Sequence, residues 1–199
     1  MILSKIIGSI GLGTMGGSYA FHLLNEGYKV LGLDPDIKNS DKFSNHGGIK
    51  VNDINYLIKK SDVIILSLPT VPIFKSIIND IIKNYDGSNS KILIDMNTIS
   101  FEDKLEAKIL LDRLNINMID APVSGTGAQA KTKDLVVMSS GLEENINSCQ
   151  DIFLSFAKQN IYVGEFGNGI KFKLLANLLV TVHNTVTAEA LLLGQKIGL

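Results

Sequence analysis

The sequence predicts an α/β fold: a doubly wound, mostly parallel sheet followed by one long helix. Three observations lead there. Short apolar runs alternate with longer amphipathic ones, a glycine-rich loop joins the first run to the first amphipathic stretch, and a long proline-free segment stands at the C-terminal end. The chain has 199 residues, 45% hydrophobic, with 20 acidic against 19 basic side chains and a net charge of −1. That length suits one medium domain, or one domain plus the start of a second. The near-neutral balance supplies no footprint for nucleic acid or an anionic membrane, so neither is expected as a partner. A single cysteine, Cys149, excludes an internal disulfide and a multi-cysteine metal site. With one thiol and no secretory pattern in residues 1–5, the expected compartment is a reducing cytoplasm. No run reaches the roughly 18 uncharged apolar residues of a membrane span.

Residues 5–10, 29–33, 63–68, 91–95 and 117–120 read as buried strands: short, rich in Ile, Val and Leu, and bounded by turn or charged residues. Helices are expected near 15–26, 54–60, 71–84 and 101–114. In the third of these, Ile73, Ile77, Ile78, Ile81 and Ile82 recur at spacings of three and four, predicting one buried face. Strand and helix in alternation imply parallel pairing through right-handed crossovers. After Asp120 a Gly-rich loop leads to a strand near 135–139, a helix over 143–156 and a short strand at 161–163. From Ile170 to Ile197 apolar residues recur at Leu174, Leu175, Leu178, Leu179, Val182, Val186, Ala190 and Leu193 without a proline. A helix of that span would be about 42 Å long at 1.5 Å per residue, more than the edge of one small domain covers. It is expected to bridge to a further domain. The stop at Gly198-Leu199, where a helix-ending Gly ordinarily introduces the next segment, is expected to mark a truncated chain.

Gly11-Leu12-Gly13-Thr14-Met15-Gly16 is G-x-G-x-x-G, set directly after the first strand and opening the first helix. The first glycine permits a tight turn, the second lets backbone approach a pyrophosphate, and the third lets helix and sheet pack closely. The helix N-terminus offers N–H groups and a positive dipole end to the diphosphate. Strand, loop, helix and next strand fall in order, and Asp34 follows that second strand 23 residues after Gly11. Together they predict a Rossmann-type dinucleotide site. A carboxylate at Asp34 accepts from the ribose 2′-OH and repels a 2′-phosphate, which favours NAD over NADP. Asp36 adds a second negative charge or serves as a turn residue after Pro35, while Lys38 and Lys42 are cations that could receive a phosphate.

Three further segments extend the pattern. Asp95-Met96-Asn97-Thr98-Ile99-Ser100 follows one strand, and Asp120-Ala121-Pro122-Val123-Ser124-Gly125 follows the next. Gly164-Glu165-Phe166-Gly167-Asn168-Gly169 leads into the long helix, where Lys173 and Asn177 form K-x-x-x-N. With the glycine loop, this resembles the β-hydroxyacid dehydrogenase family, whose members include 3-hydroxyisobutyrate dehydrogenases, tartronate semialdehyde reductases and glyoxylate/succinic semialdehyde reductases. The resemblance spans nearly the whole chain. It implies a Rossmann domain over residues 1–163 and, over 164–199, a long interdomain helix beginning an all-helical domain. That domain packs on the helix, closes the cleft and mediates dimerisation, so a homo-oligomer is implied for full-length relatives.

Carried over by position, Lys173 matches the catalytic lysine and Asn177 its partner one turn on. Ser124 and Gly125, with Thr126 beside them, match the cradle for the substrate carboxylate. Thr98 and the Leu68-Pro69 pair match cofactor contacts near the nicotinamide and its ribose, beside the Gly11–Gly16 loop and Asp34. Spacing agrees, because i and i+4 on a helix share a face. An ammonium can donate a proton to a developing alkoxide, and the neutral amine can accept one from the hydroxyl in reverse. The implied activity is hydride transfer between NAD(H) and a small β-hydroxy acid or its semialdehyde. The alternative is a non-catalytic NAD(H)-binding fragment or pseudoenzyme of the same family.

Departures from the family pattern lie in two loops, and in the first of them Asn97 replaces the small hydroxyl residue that commonly precedes Thr98. Thr126, Gln129 and Lys133 stand where members commonly have glycine, which implies a different substrate or a less well formed loop. Ala176 replaces the histidine of the decarboxylating 6-phosphogluconate dehydrogenases, and Lys173 sets the chain apart from imine reductases, which typically lack it. His22 reads as a helix-surface or boundary residue. His183 and Asn184 read as structural residues of the long helix. No cluster has metal-ligand spacing, so no metal is expected.

Overall fold

The computed structural model describes residues 5–87 and 90–199. Residues 1–4, which figure above in the search for a leader, lie outside them. Strands β1 (Ile6–Ile10), β2 (Lys29–Leu33), β3 (Ile49–Lys50), β4 (Val63–Leu66), β5 (Lys91–Asp95) and β6 (Ile116–Asp120) alternate with helices α1 (Thr14–Asn25), α2 (Ile37–Asn45), α3 (Ile54–Lys60), α4 (Val71–Asn84) and α5 (Phe101–Asp112). The six strands form one parallel sheet in the order β3-β2-β1-β4-β5-β6. The order reverses between β1 and β4, and in such sheets a crevice opens there at the carboxyl ends of the strands.

Strand side chains alternate between two cores. Ile7, Ile65, Ile94 and Ile119 join Tyr19 and Leu23 of α1 on one face, while Ile64, Leu66, Leu93 and Met118 meet Leu57, Phe74, Ile78 and Leu111 on the other. Both faces are therefore covered, as a parallel sheet requires.

Local signals explain most ends. Asp53, Thr70 and Ser100 accept backbone N–H bonds at the starts of α3, α4 and α5. The buried face of α4 is Phe74, Ile78 and Ile81, and Ile73, expected on it, is 43% exposed. Phe74 takes the place because its ring lies one residue further round the same turn.

Four elements lack a sequence expectation: α2 and β3 here, and a strand at Val123–Ser124 and a helix at Gly127–Lys131 beyond β6, where a Gly-rich loop is expected. The segment of α2 carries only Ile37 and Phe43 as large apolar residues, too few for a stripe, and β3 is two residues long. What holds them is Asp36, which caps α2 by accepting from Lys38 N at 2.9 Å, and Phe43, whose ring packs where Gly32 and Gly48 have no side chains.

Beyond β6 lie β7 (Val123–Ser124), α6 (Gly127–Lys131), β8 (Val136–Ser139), α7 (Glu143–Ser148), α8 (Gln150–Phe156), β9 (Gln159–Tyr162) and α9 (Asn168–Lys196). A second sheet runs β7-β8-β9, with β7 antiparallel and β9 parallel to β8. Asp120 and Ser140 exchange backbone hydrogen bonds at 3.1 and 2.8 Å and join it to β6. The helix expected over 143–156 is two, broken at buried Cys149. The strand expected at 161–163 begins at Gln159. Tyr19 of α1 stacks on Phe156 of α8 with centroids 4.7 Å apart, tying this segment to the main sheet.

The long helix is present as α9, 29 residues. Its first turn packs on β6, β7 and β8, with Gly169 and Ile170 buried. Leu174, Leu175, Leu178 and Leu179 are all more than half exposed. Among the described residues no helix is long and apolar enough to cross a membrane.

Candidate active site

The predicted site residues gather at the carboxyl ends of β1, β2, β4, β5 and β6 and on α9. Gly11 has φ +88°, and a Cβ there would collide with the Ser67 carbonyl oxygen after β4. A Cβ at Gly16 would collide with the Gly11 carbonyl oxygen, so this glycine lets α1 close on the loop. Gly13 meets nothing within 4 Å and leaves the loop open from outside. Gly13 is also the N-cap of α1 and supplies no side-chain cap, unlike the residues that start α2 to α5. The first-turn N–H groups of Thr14, Met15 and Gly16 are thus presented at an uncapped, positive helix end. These features fit a diphosphate.

Asp34 follows β2 and faces this loop. Its Oδ2 accepts from Leu12 N at 2.6 Å and from Asn39 Nδ2 at 3.4 Å, and its Oδ1 accepts from Asp36 N at 2.8 Å. The carboxylate is therefore held in one orientation at the edge of the crevice. A cleft of about 410 Å³ beside the loop is lined by Gly13, Thr14, Asn39, Lys42, His46 and Lys131, among others.

On the other side of the crevice, half-buried Leu68 donates its backbone N–H to Asn97 Oδ1 at 2.5 Å, fastening the β4 loop to the β5 loop. Pro69 and Thr98 are exposed at the tips of these loops. Ser124 lies exposed on β7, and Gly125, at φ +138°, packs against Leu135 where a Cβ would not fit. Thr126 and Gln129 form a capping box on α6, with Thr126 N donating to Gln129 Oε1 at 3.0 Å. Lys133, at φ +60°, pairs with Glu26. The glycine replacements thus build an ordered turn of helix, contrary to the expectation of a less well formed loop. A Cβ on Gly127 would lie 2.7 Å from Thr14 Cγ2, so this segment sits against the Gly11–Gly16 loop. His22, expected as a helix-surface or boundary residue, is buried at 5% exposure, and its Nε2 lies 2.9 Å from the Ala130 carbonyl oxygen. The α6 helix covers it, which the sequence of α1 alone does not show.

Lys173 is half-buried on α9, and burial lowers its pKa below the ordinary lysine value. Among the described residues no hydrogen bond or ion pair engages its ammonium. Asn177 follows one turn on and is exposed. No hydrogen bond links either side chain to Ser124 or Gly125, although α9 packs against β7.

Residues 6–164 match the family model described as the NAD binding domain of 6-phosphogluconate dehydrogenase. The chain belongs to that family. Its similarity to 3-hydroxyisobutyrate dehydrogenases bears out the resemblance carried by the four motifs. The mitochondrial 3-hydroxyisobutyrate dehydrogenase of Homo sapiens is 30% identical over 201 residues, covering 97% of this chain and 58% of its own length. The 2-(hydroxymethyl)glutarate dehydrogenase of Eubacterium barkeri is also 30% identical, covering 97% and 64%. The structure of Mycobacterium tuberculosis 3-hydroxyisobutyrate dehydrogenase with L-serine superposes with a TM-score of 0.93 at 28% identity, over 98% of this chain and 67% of that one. The chain spans 58% to 65% of the length of these curated relatives and of a protein from Mycobacterium bovis described as a probable 3-hydroxyisobutyrate dehydrogenase.

In this NAD-binding domain, one buried charged group was not legible in the sequence. Lys104 of α5 is fully buried, its Nζ 2.9 Å from Asp95 Oδ2 and 2.7 Å from Asp120 Oδ1. A lysine four residues into an amphipathic helix reads as a solvent residue, and the only signal was the pair of aspartates ending adjacent strands. Burial opposes the Lys104 charge, but the two carboxylates outweigh it and raise its pKa. Burial likewise pushes the Asp95 carboxyl up, against the pull of the Lys104 ammonium.

Proposed function

We propose that the chain is the cofactor-binding part of a β-hydroxyacid dehydrogenase that uses NAD(H) and acts on a small carboxylate-bearing alcohol or its semialdehyde. The observation that carries this is Lys173: a half-buried ammonium, without a partner among the described residues, on the helix that packs against β7, whose exposed end bears Ser124. The dinucleotide, when bound, supplies the hydride acceptor or donor. Gly11, Leu12, Gly13, Thr14, Met15 and Gly16 would hold its diphosphate, Asp34 the adenosine ribose, and Leu68, Pro69 and Thr98 the nicotinamide side. Ser124, Gly125 and Thr126 would hold the substrate carboxylate. Lys173 Nζ takes the hydroxyl proton as the alcohol is oxidised and returns it to the oxygen on reduction, while Asn177 orients the ammonium and the substrate oxygen.

Residues 1–163 are assigned to the dinucleotide-binding domain and 164–199 to a helix leading to a second domain. Supporting the division are Gly164 and Gly167, both at positive φ, just before α9. Homo-oligomerisation is proposed for full-length relatives, and the single thiol supports a reducing cytoplasm as the compartment.

The orientation of Asp34 supports NAD over NADP. Titration with NADH and NADPH, followed by nicotinamide fluorescence, tests this: saturable binding with NADH preferred is expected. NADPH preference would overturn the Asp34 argument and move the 2′-phosphate to Lys42 and Lys131 in the adjoining cleft. Binding of NADH without turnover of any small hydroxy acid would leave a non-catalytic dinucleotide-binding module.

A further inference from the structure

The buried trio of Asp95, Lys104 and Asp120 has no part in the roles assigned above. Asp95 and Asp120 lie opposite each other at the ends of β5 and β6, and all three side chains have 0% exposure. Two carboxylates around one ammonium cost heavily to desolvate, and apolar residues of similar volume often serve stability as well or better. Packing therefore does not account for the trio. Its hydrogen bonds do, because each carboxylate reaches a different wall of the crevice.

Asp95 Oδ1 accepts from Asn97 N at 3.1 Å, and Asn97 Oδ1 accepts from Leu68 N at 2.5 Å. This arm ends at the loop assigned to the nicotinamide side. Asp120 Oδ2 accepts from Ser140 Oγ at 3.0 Å and from Ile170 N at 2.8 Å. Ser140 Oγ in turn accepts from Gly167 N at 3.1 Å and Gly169 N at 3.0 Å. This arm ends on the first turn of α9, one turn before Lys173. A Cβ on Gly169 would come within 2.9 Å of Asp120 Oδ2, so the approach depends on a glycine there.

We propose that Lys104 is a positioning residue: clamped between Asp95 and Asp120, it fixes the first turn of α9, and with it Lys173, relative to the Leu68-Pro69 loop. The inference rests on the roles given to Lys173 and Leu68 under the proposed function. It adds that the two walls are held by one buried cation through separable arms.

The test compares Lys104→Met, Asn97→Ala and Ser140→Ala with the wild-type chain by NADH titration, amide hydrogen exchange and steady-state kinetics. Asn97→Ala is expected to speed exchange at residues 67–70 and weaken NADH binding about tenfold, with kcat at saturating NADH unchanged. Ser140→Ala is expected to speed exchange at residues 167–171 and lower kcat about tenfold, with the NADH Kd unchanged. Lys104→Met should do both. The proposal is overturned if folded Lys104→Met exchanges at wild-type rates in both segments. It is equally overturned if Asn97→Ala and Ser140→Ala each disturb both segments and both constants, the pattern of general loosening. Should Lys104→Met fail to fold, the other two variants decide. Should the wild-type chain turn over no hydroxy acid, the proposed function falls, and exchange with NADH binding decides the positioning role alone.

Discussion

Lys173 titrates in surroundings that favour its neutral form. Burial lowers its pKa below the ordinary lysine value of 10.5, and the sign of the consequence differs with reaction direction. If it is the base in alcohol oxidation it must be neutral, so kcat/KM for oxidation should rise with pH through a midpoint below that value and level off above it. As the acid in reduction it must be charged, so the reductive rate should fall through the same midpoint. Lys173→Ala should remove this limb from both profiles and lower turnover by about 10²- to 10⁴-fold while NADH binding persists. Turnover within a few-fold of wild type would exclude the lysine as proton carrier. Asp34 and Lys104 show what a sequence reveals at this scale. Asp34 sits at a fixed distance from the glycine loop within one β-α-β unit, so its place follows from local order. Lys104 gains its meaning only from Asp95 and Asp120, which two other strands deliver to it.

Among the elements, the phosphate loop has the least tolerance. Gly11 combines φ +88° with a Cβ position occupied by the Ser67 carbonyl. Gly11→Ala should therefore abolish saturable NADH binding and displace the β4 loop, and a titration of the folded variant checks this. The α6 helix makes a milder case. Thr126→Ala removes the hydroxyl half of its capping box and should cost about 1 kcal/mol, measurable by urea denaturation. Strands β1, β2, β4, β5 and β6 were readable because both sheet faces are buried and their sequences are short runs rich in Ile, Val and Leu. Helix α2 and strand β3 were not, since a cap and one phenylalanine hold them instead of a periodic stripe. Helix α6 hid behind residues that a family pattern marks as loop glycines, and so did the burial of His22 beneath it.

Across the whole molecule, the sheet and its two cores are closed while α9 is not. Phe172, Leu174, Leu175, Leu178, Leu179 and Val182 are each between 47% and 60% exposed, a contiguous apolar surface of the kind that marks an interaction face. The 199-residue chain should accordingly bind a hydrophobic dye and sediment with a concentration-dependent mass. Leu175→Glu with Leu179→Glu should reduce both without altering NADH affinity. Unchanged dye binding in that variant would mean that the helix is covered.

The length of α9 also has a mechanical side. Anchored at Gly167, Gly169 and Ile170, the helix is a rod of about 43 Å whose attachment lies at one end. A tilt of about 5° around that anchor would carry the far tip through about 4 Å, yet shift Lys173, five residues from the start, by well under about 1 Å. Whatever presses on the distal half can therefore be displaced widely while Lys173 stays in register with the loops after β4 and β5. Displacement grows along the rod and is least at its anchored end.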